Sequence, residues 1–252
     1  MLIKDVEVIS NKQISVGTFL LEVESEEFSK SILPGQFFNI QVSQNSFPLL
    51  RRPFSISNIS GNSLFFMYKV VGEGTQIMAE KKKGDILNLL GPLGNSFQYD
   101  DSYDQIFVVA GGIGIAPFPL LIKQFKTNQK YSVLFGVRNK HEVHDYGINN
   151  VVYSSDDGSI GLNGNVIELL RNNINENSTQ KIKIYSCGPN SMFRALKQFI
   201  GNKNIDCEIS MESAMACGFG ICQGCPVEHN VENKYKLICK DGPIFKIQDI
   251  II

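Results

Sequence analysis

The sequence predicts a multidomain chain of α+β and α/β class: an antiparallel β-barrel, a parallel-sheet α/β domain and a small cysteine-bearing C-terminal domain. Three observations predict it. Residues 1–98 consist of short β-rich runs separated by turn residues. Residues 99–208 alternate apolar strands with glycine turns and helical segments. Residues 209–252 carry four cysteines at the spacing C-x4-C-x2-C-x13-C.

In the first part, Phe19–Glu24, Phe37–Val42 and Leu64–Val71 have strand composition, with turn signals at Pro34–Gly35 and Gly61–Asn62. Gly91–Gly94 reads as a tight turn closing this domain. Two segments stand out. Arg51, Arg52, Pro53, Phe54 and Ser55 join cations, a φ-locked proline, an aromatic ring and a hydroxyl. Arginine matches phosphate oxygens with its fork of donors, and Ser55 shares a strand face with Pro53. An ordinary loop entering a strand reads equally well from these residues alone. Gly72, Glu73, Gly74 and Thr75 precede a short helix, which suits either an anion or a plain capped surface helix.

In the second part, Gln105–Ala110 is a fully buried strand running into Gly111, Gly112, Gly114 and Pro117 and then an apolar helix. Strand, glycine turn, helix is a pyrophosphate-binding context, although Pro117 stands where the Rossmann fingerprint has its third glycine. Further strands are predicted at Tyr131–Val137, Asn150–Ser155 and Lys181–Ser186, with a helix from Val166. The last of these strands meets a second small-residue turn, Cys187, Gly188 and Pro189. Ligands in open α/β sheets bind at such strand ends. Cys187 is either a site residue or a buried thiol, and Cys207 reads as core.

In the third part, Cys217, Cys222, Cys225 and Cys239 have the plant-type spacing of a [2Fe–2S] cluster. Each iron needs two thiolates, and Gly218, Gly220 and Gly224 allow the loop to close over inorganic sulfide. Structural zinc prefers two C-x2-C knuckles, and a disulfide framework needs an oxidising compartment. Both remain alternatives.

The 252 residues are 43% hydrophobic with a net charge of −1, so a sizeable core is expected and a nucleic-acid-binding surface is not. The N-terminus alternates, without the apolar run of a signal peptide, and no stretch is long enough to span a bilayer. A cytoplasmic protein is expected.

These motifs, in order, resemble those of the ferredoxin–NADP+ reductase superfamily. Met211, Glu212, the cysteine loop and Leu237 to Phe245 narrow the likeness: the chain resembles electron-transfer subunits of class 1B, NAD-dependent dihydroorotate dehydrogenases. The resemblance implies an FAD barrel over 1–98, an NAD domain over 99–208 and a [2Fe–2S] domain over 209–252. It places FAD against Arg52, Pro53, Phe54, Ser55, Met67, Tyr68, Lys69, Gly74 and Thr75. It places NAD, as co-substrate, against Gly111 to Pro117 and Cys187 to Pro189. It implies an FMN-containing catalytic partner that oxidises dihydroorotate in pyrimidine biosynthesis, so no catalytic residue is expected in this chain. Other flavin–iron–sulfur subunits, of ferredoxin:NADP+ oxidoreductase or sulfhydrogenase type, share the motif order. Arg138 and Lys140 leave NADP open, and a zinc-bound regulatory protein is the reading from another class. Pro226, directly after the third cysteine, departs from the family pattern and removes a backbone N–H there.

Overall fold

In the computed structural model, residues 1–43, 47–174, 179–230 and 234–252 are described. Among them, a curled antiparallel sheet holds β1 (Leu2–Ser15), β2 (Thr18–Glu24), β3 (Phe37–Gln41), β4 (Arg52–Ser55), β5 (Asn58–Ser60), β6 (Ser63–Lys69) and β7 (Ile86–Leu93) in the order β4-β3-β7-β1-β2-β6-β5. Helices α1 (Glu26–Ser29) and α2 (Glu73–Ala79) lie in its connections. The interior alternates with the strand period. Phe38 is fully buried, with its ring edge-on to Phe28 at 5.0 Å and to Phe66 at 5.6 Å.

Gly91 to Leu93 do not form a turn but finish β7, pairing with Leu2 on one side and Phe37 on the other. The register slips between Phe37 and Asn39, where Leu90 and Leu93 are their partners. This bulge is where a proline without an N–H fits a strand interior. Gly91 is needed because a β-carbon there would lie 2.2 Å from the Phe38 ring.

The second sheet contains β8 (Gln105–Gly111), β9 (Tyr131–Val137), β10 (Val151–Ser155), β11 (Leu162–Asn163), β12 (Ile182–Cys187) and β13 (Ile205–Ser210), all parallel. Its order is β11-β10-β9-β8-β12-β13, the crossover at β8 marking the switch point. Strand β12 is buried at every position, as a two-sided sheet requires. Phe107 and Val109 face α4 (Val166–Asn173) and α5 (Asn190–Ile200), while Ile106, Val108 and Ala110 face α3 (Phe118–Ile122).

The cysteine-bearing segment does not stand apart. It forms a ribbon of β14 (Pro226–His229) and β15 (Lys234–Leu237), then α6 (Ile238–Asp241). It ends in β16 (Ile244–Lys246), which pairs antiparallel with β13 and becomes the edge of the second sheet. Val227, Ile238, Phe245, Ile247 and Ile250 join the same apolar core as α4 and α5. Asn95, at the end of the barrel, pins this segment by donating to Asp241 O and Ile244 O and accepting from Ile244 N.

Candidate functional site

Three features meet where the curled sheet, the parallel sheet and the cysteine segment touch. The first is a cavity of about 350 Å³ walled by Arg52, Pro53, Phe54, Ser55, Met67, Tyr68, Lys69 and Thr75 of the barrel. Opposite them stand Ile113, Ala116 and Pro117 of the glycine-loop segment, and Ser210 to Ser213, Met215 and Pro243 near the cysteines. The barrel wall is preset. The Tyr68 hydroxyl donates to Asn11 Oδ1 at 3.1 Å, and its ring lies against Phe54 at 5.6 Å and Phe19 at 5.7 Å. Burial pushes the Tyr68 phenol up to about 12, so it stays neutral.

Arg52 and Thr75 also line a neighbouring cavity of about 350 Å³ with Phe47, Leu49, Gly72 and Gly74. The Arg52 guanidinium donates to Leu50 O at 2.6 Å and lies over Gly74, where a β-carbon would sit 2.9 Å from Nε. The Thr75 hydroxyl faces inward: it accepts from Val71 N and Gly72 N and donates to Gly72 O. Its task is to hold the Gly72 turn, leaving backbone groups and Arg52 to meet a ligand.

The second feature is a cavity of about 460 Å³ at the carboxyl ends of β8, β9, β10 and β12. Gly111, Gly112, Arg138, Asp156, Asn165 and Pro189 line it, and Lys69 borders both this cavity and the first. Gly114, Cys187 and Gly188 line neither; they build the floor. A β-carbon on Gly114 would lie 2.2 Å from Cys187 O, so only glycine lets the loop touch the end of β12. Gly114→Ala should force the two apart, costing roughly 1–3 kcal/mol by overpacking. A lowered melting temperature is expected; one unchanged from wild type would show that the loop and strand part without cost. Cys187 is 1% exposed, and burial holds its thiol well above the ordinary range, so it stays protonated. Cys207 is fully buried core.

The third feature is the loop from Cys217 to Cys225. Gly218 and Gly220 have φ of 79° and 91°, the left-handed region that folds backbone N–H groups inward. Cys222 N points at Cys217 Sγ, Gly224 N at Cys222 Sγ and Cys239 N at Cys225 Sγ, each at 3.4 Å. Burial opposes ionisation of Cys217, but the N–H groups of Cys222, Phe219 and Ile221 outweigh it and bring the thiol down to about 6. Burial and the Cys225 thiol push Cys239 up. Cys225 Sγ lies 3.2 Å from Cys239 Sγ, and Cys217 is paired with Cys222. Among the described residues no three His, Cys, Asp or Glu side chains gather about one point. Two thiol pairs fit a two-iron rhomb, each iron taking two thiolates, better than one tetrahedral zinc.

The loop is tied to the barrel by a residue that carried no sequence signal. Asn39 of β3 is fully buried and donates from Nδ2 to Cys217 O at 3.2 Å. A β-carbon on Gly218 would strike that same nitrogen at 1.9 Å. Asn39 shares its strand face with Phe37, a wall of the first cavity. Glu212 also carried no mechanism in the sequence: it lines the first cavity.

Comparison with known proteins agrees with this arrangement. Residues 212–251 match the family model described as the iron-sulfur cluster binding domain of dihydroorotate dehydrogenase B. The chain is 35% identical over 247 residues to the dihydroorotate dehydrogenase B (NAD+) electron transfer subunit of Caldanaerobacter subterraneus, covering 97% of this chain and 96% of that one. It is 35% identical over 263 residues to the subunit of the same name from Fusobacterium nucleatum, with both chains covered fully. Among solved structures, a chain of the NADH-dependent reduced ferredoxin-NADP oxidoreductase superposes with a TM-score of 0.86 at 24% identity, covering 98% of this chain and 89% of that one. Phthalate dioxygenase reductase gives 0.61 at 16% identity, covering 93% and 75%. The chain belongs to the family of electron-transfer subunits of NAD-dependent dihydroorotate dehydrogenase B.

Proposed function

We propose that this chain links dihydroorotate oxidation in an FMN-bearing catalytic subunit to NAD+, with FAD and a [2Fe–2S] cluster as its own redox groups, in cytoplasmic pyrimidine biosynthesis. FAD, when bound, supplies the exchange between single-electron and hydride chemistry, and the cluster supplies a single-electron relay. Cys217, Cys222, Cys225 and Cys239 would hold the cluster. Phe54, Tyr68 and Met67 would flank the flavin ring, Ser55 would meet its polar edge, and Arg52 with the Gly72–Gly74 backbone would take its phosphates. Gly111, Gly112 and Pro189 would bind the coenzyme. Lys69, bordering both cavities, marks where the two ligands would meet. The chain needs no general base for dihydroorotate, since that deprotonation belongs to the catalytic subunit.

The observation carrying this reading is continuity. Phe37 and Met215 wall the first cavity, and each lies two residues from a partner in the Asn39–Cys217 bond. Strand β3 and the cysteine loop thus hold the flavin cavity and the cluster loop in fixed relation. The loop also faces outward: Cys222 is exposed, Ile221 is 76% exposed and Phe219 38%. Apolar side chains around a redox loop suit a docking face, and we assign Cys217 to Cys225 that part. Among the described residues no helix is long and apolar enough to cross a membrane.

Co-expression with the catalytic subunit tests the reading. A stable complex that forms orotate with NAD+ is expected. Separate elution of the two chains, with no NAD+-linked orotate, would overturn it.

A further inference from the structure

The coenzyme cavity carries an arginine where a 2′-phosphate would be read, and the structure holds it elsewhere. Arg138 follows β9, the second strand of the parallel sheet in chain order and the first after the glycine loop. At that strand end an acidic side chain meets the ribose 2′-hydroxyl of NAD, whereas an arginine accommodates the 2′-phosphate of NADP. By residue type alone, Arg138 favours NADP.

Its partners reverse that expectation. Arg138 Nε lies 3.2 Å from Glu142 Oε2 and Nη2 lies 2.5 Å from Glu142 Oε1, a two-point pair. The same Oε1 takes Lys69 Nζ at 3.0 Å. One carboxylate therefore occupies two cations of the cavity wall. Glu142 itself is held firmly. It sits in a one-turn helix over Lys140–Glu142, its N–H donates to Asn139 O at 3.1 Å, and its carbonyl is met by His144 Nδ1. Its side chain is 15% exposed against 69% for Arg138, so the acid is the fixed member of the pair. Asp156, after β10, lines the same cavity and adds a second negative charge near Arg138.

We propose that Glu142 is the coenzyme-selecting residue: it sequesters Arg138 and opposes a 2′-phosphate with its own charge, so that the chain uses NAD(H) rather than NADP(H). An incoming 2′-phosphate has to break a two-point ion pair and then sit beside the released carboxylate and Asp156. An NAD ribose, with a hydroxyl in that place, meets acceptors and no repulsion. Selectivity here comes from an element that rejects the competitor as well as one that suits the substrate. The inference rests on reading this cavity as the nicotinamide-coenzyme site.

The test compares wild type, Glu142→Gln, Arg138→Ala and the double variant, each in complex with the catalytic subunit. Calorimetry with 5′-AMP and adenosine 2′,5′-bisphosphate isolates the 2′-phosphate, and anaerobic flavin bleaching by NADH and NADPH gives the kinetic counterpart. In Glu142→Gln the preference for the bisphosphate over 5′-AMP should rise at least tenfold, with a parallel rise in the NADPH-to-NADH efficiency ratio. The double variant should lose most of that gain, keeping only the part that comes from removing the Glu142 charge. Arg138→Ala, an exposed position where misfolding is not at issue, should not raise the ratio, because Glu142 keeps its charge and loses a neutralising partner. An unchanged ratio in Glu142→Gln, a gain undiminished without Arg138, or a tenfold rise of the ratio in Arg138→Ala would each overturn the proposal. Wild-type flavin that NADH fails to bleach would overturn the coenzyme reading beneath it, a result separate from any variant.

Discussion

Cys222→Ser is expected to leave a yellow protein without the broad iron–sulfur shoulder. A serine hydroxyl is a poor substitute for thiolate, and Cys222 is the exposed member of its pair. Cys222 does not line the first cavity, the one proposed to hold the flavin, so flavin bands should persist and NADH should still bleach them. NAD+-linked oxidation of dihydroorotate by the complex should fall by more than the roughly 10- to 100-fold that loss of an outer-shell partner costs a metal site. The pairing of these outcomes is what matters. Loss of flavin together with the shoulder would mean that the loop supports the barrel fold rather than serving as a relay. Activity retained with the shoulder gone would remove the cysteines from the electron path.

The second large effect concerns a buried ion pair that lines neither cavity. Lys183 on β12 and Glu208 on β13 are 3% and 4% exposed, with Nζ 3.0 Å from Oε1. Glu208 Oε2 accepts from Gln98 N at 2.9 Å, and the Tyr185 hydroxyl donates to Gln98 O at 2.8 Å. The link between the two sheets is thus held by both of its backbone groups. Glu208→Ala would strand a buried ammonium whose remaining anion, Asp206, lies 3.7 Å away. Breaking a buried pair costs roughly 3–5 kcal/mol. In a chain of this size that lowers the melting temperature by about 6–20 °C, at ~2–4 °C per kcal/mol. The double variant Lys183→Met, Glu208→Leu should recover much of the loss, because well-packed apolar residues often replace such a pair without penalty. A single variant that melts with wild type would show that water reaches the site.

The fold was legible because its signals were local. The uncharged run of β8, the glycines after it and the cysteine spacing each declare their element within a few residues. The candidate site was most legible in the spacing of the four cysteines, which the structure brings together as two pairs. Gly91 to Leu93 misled because glycine and proline mark turns by default; only the Phe38 ring and the bulge opposite Asn39 explain them inside a strand. Asn39 acts through a partner distant in sequence and Glu212 lines a cavity, so no local pattern announces them; Glu142 pairs with Arg138 four residues away, a spacing that gains meaning only beside the cavity. Thr75 was legible as a position and misleading as a chemistry, since its hydroxyl serves its own turn.

The antiparallel pairing of Ile244–Lys246 with β13 has a consequence for biogenesis. During synthesis, β13 emerges well before the strand that covers it, and an uncovered strand edge is a template for pairing with other chains. The nascent second sheet therefore stays open until residues 244–246 are made and emerge. Cys217, Cys222, Cys225 and Cys239 precede that strand in the chain, and the segment that carries them is the one that must dock to close the edge. The segment that brings the four thiols together is thus also the one that protects the sheet from pairing with other chains.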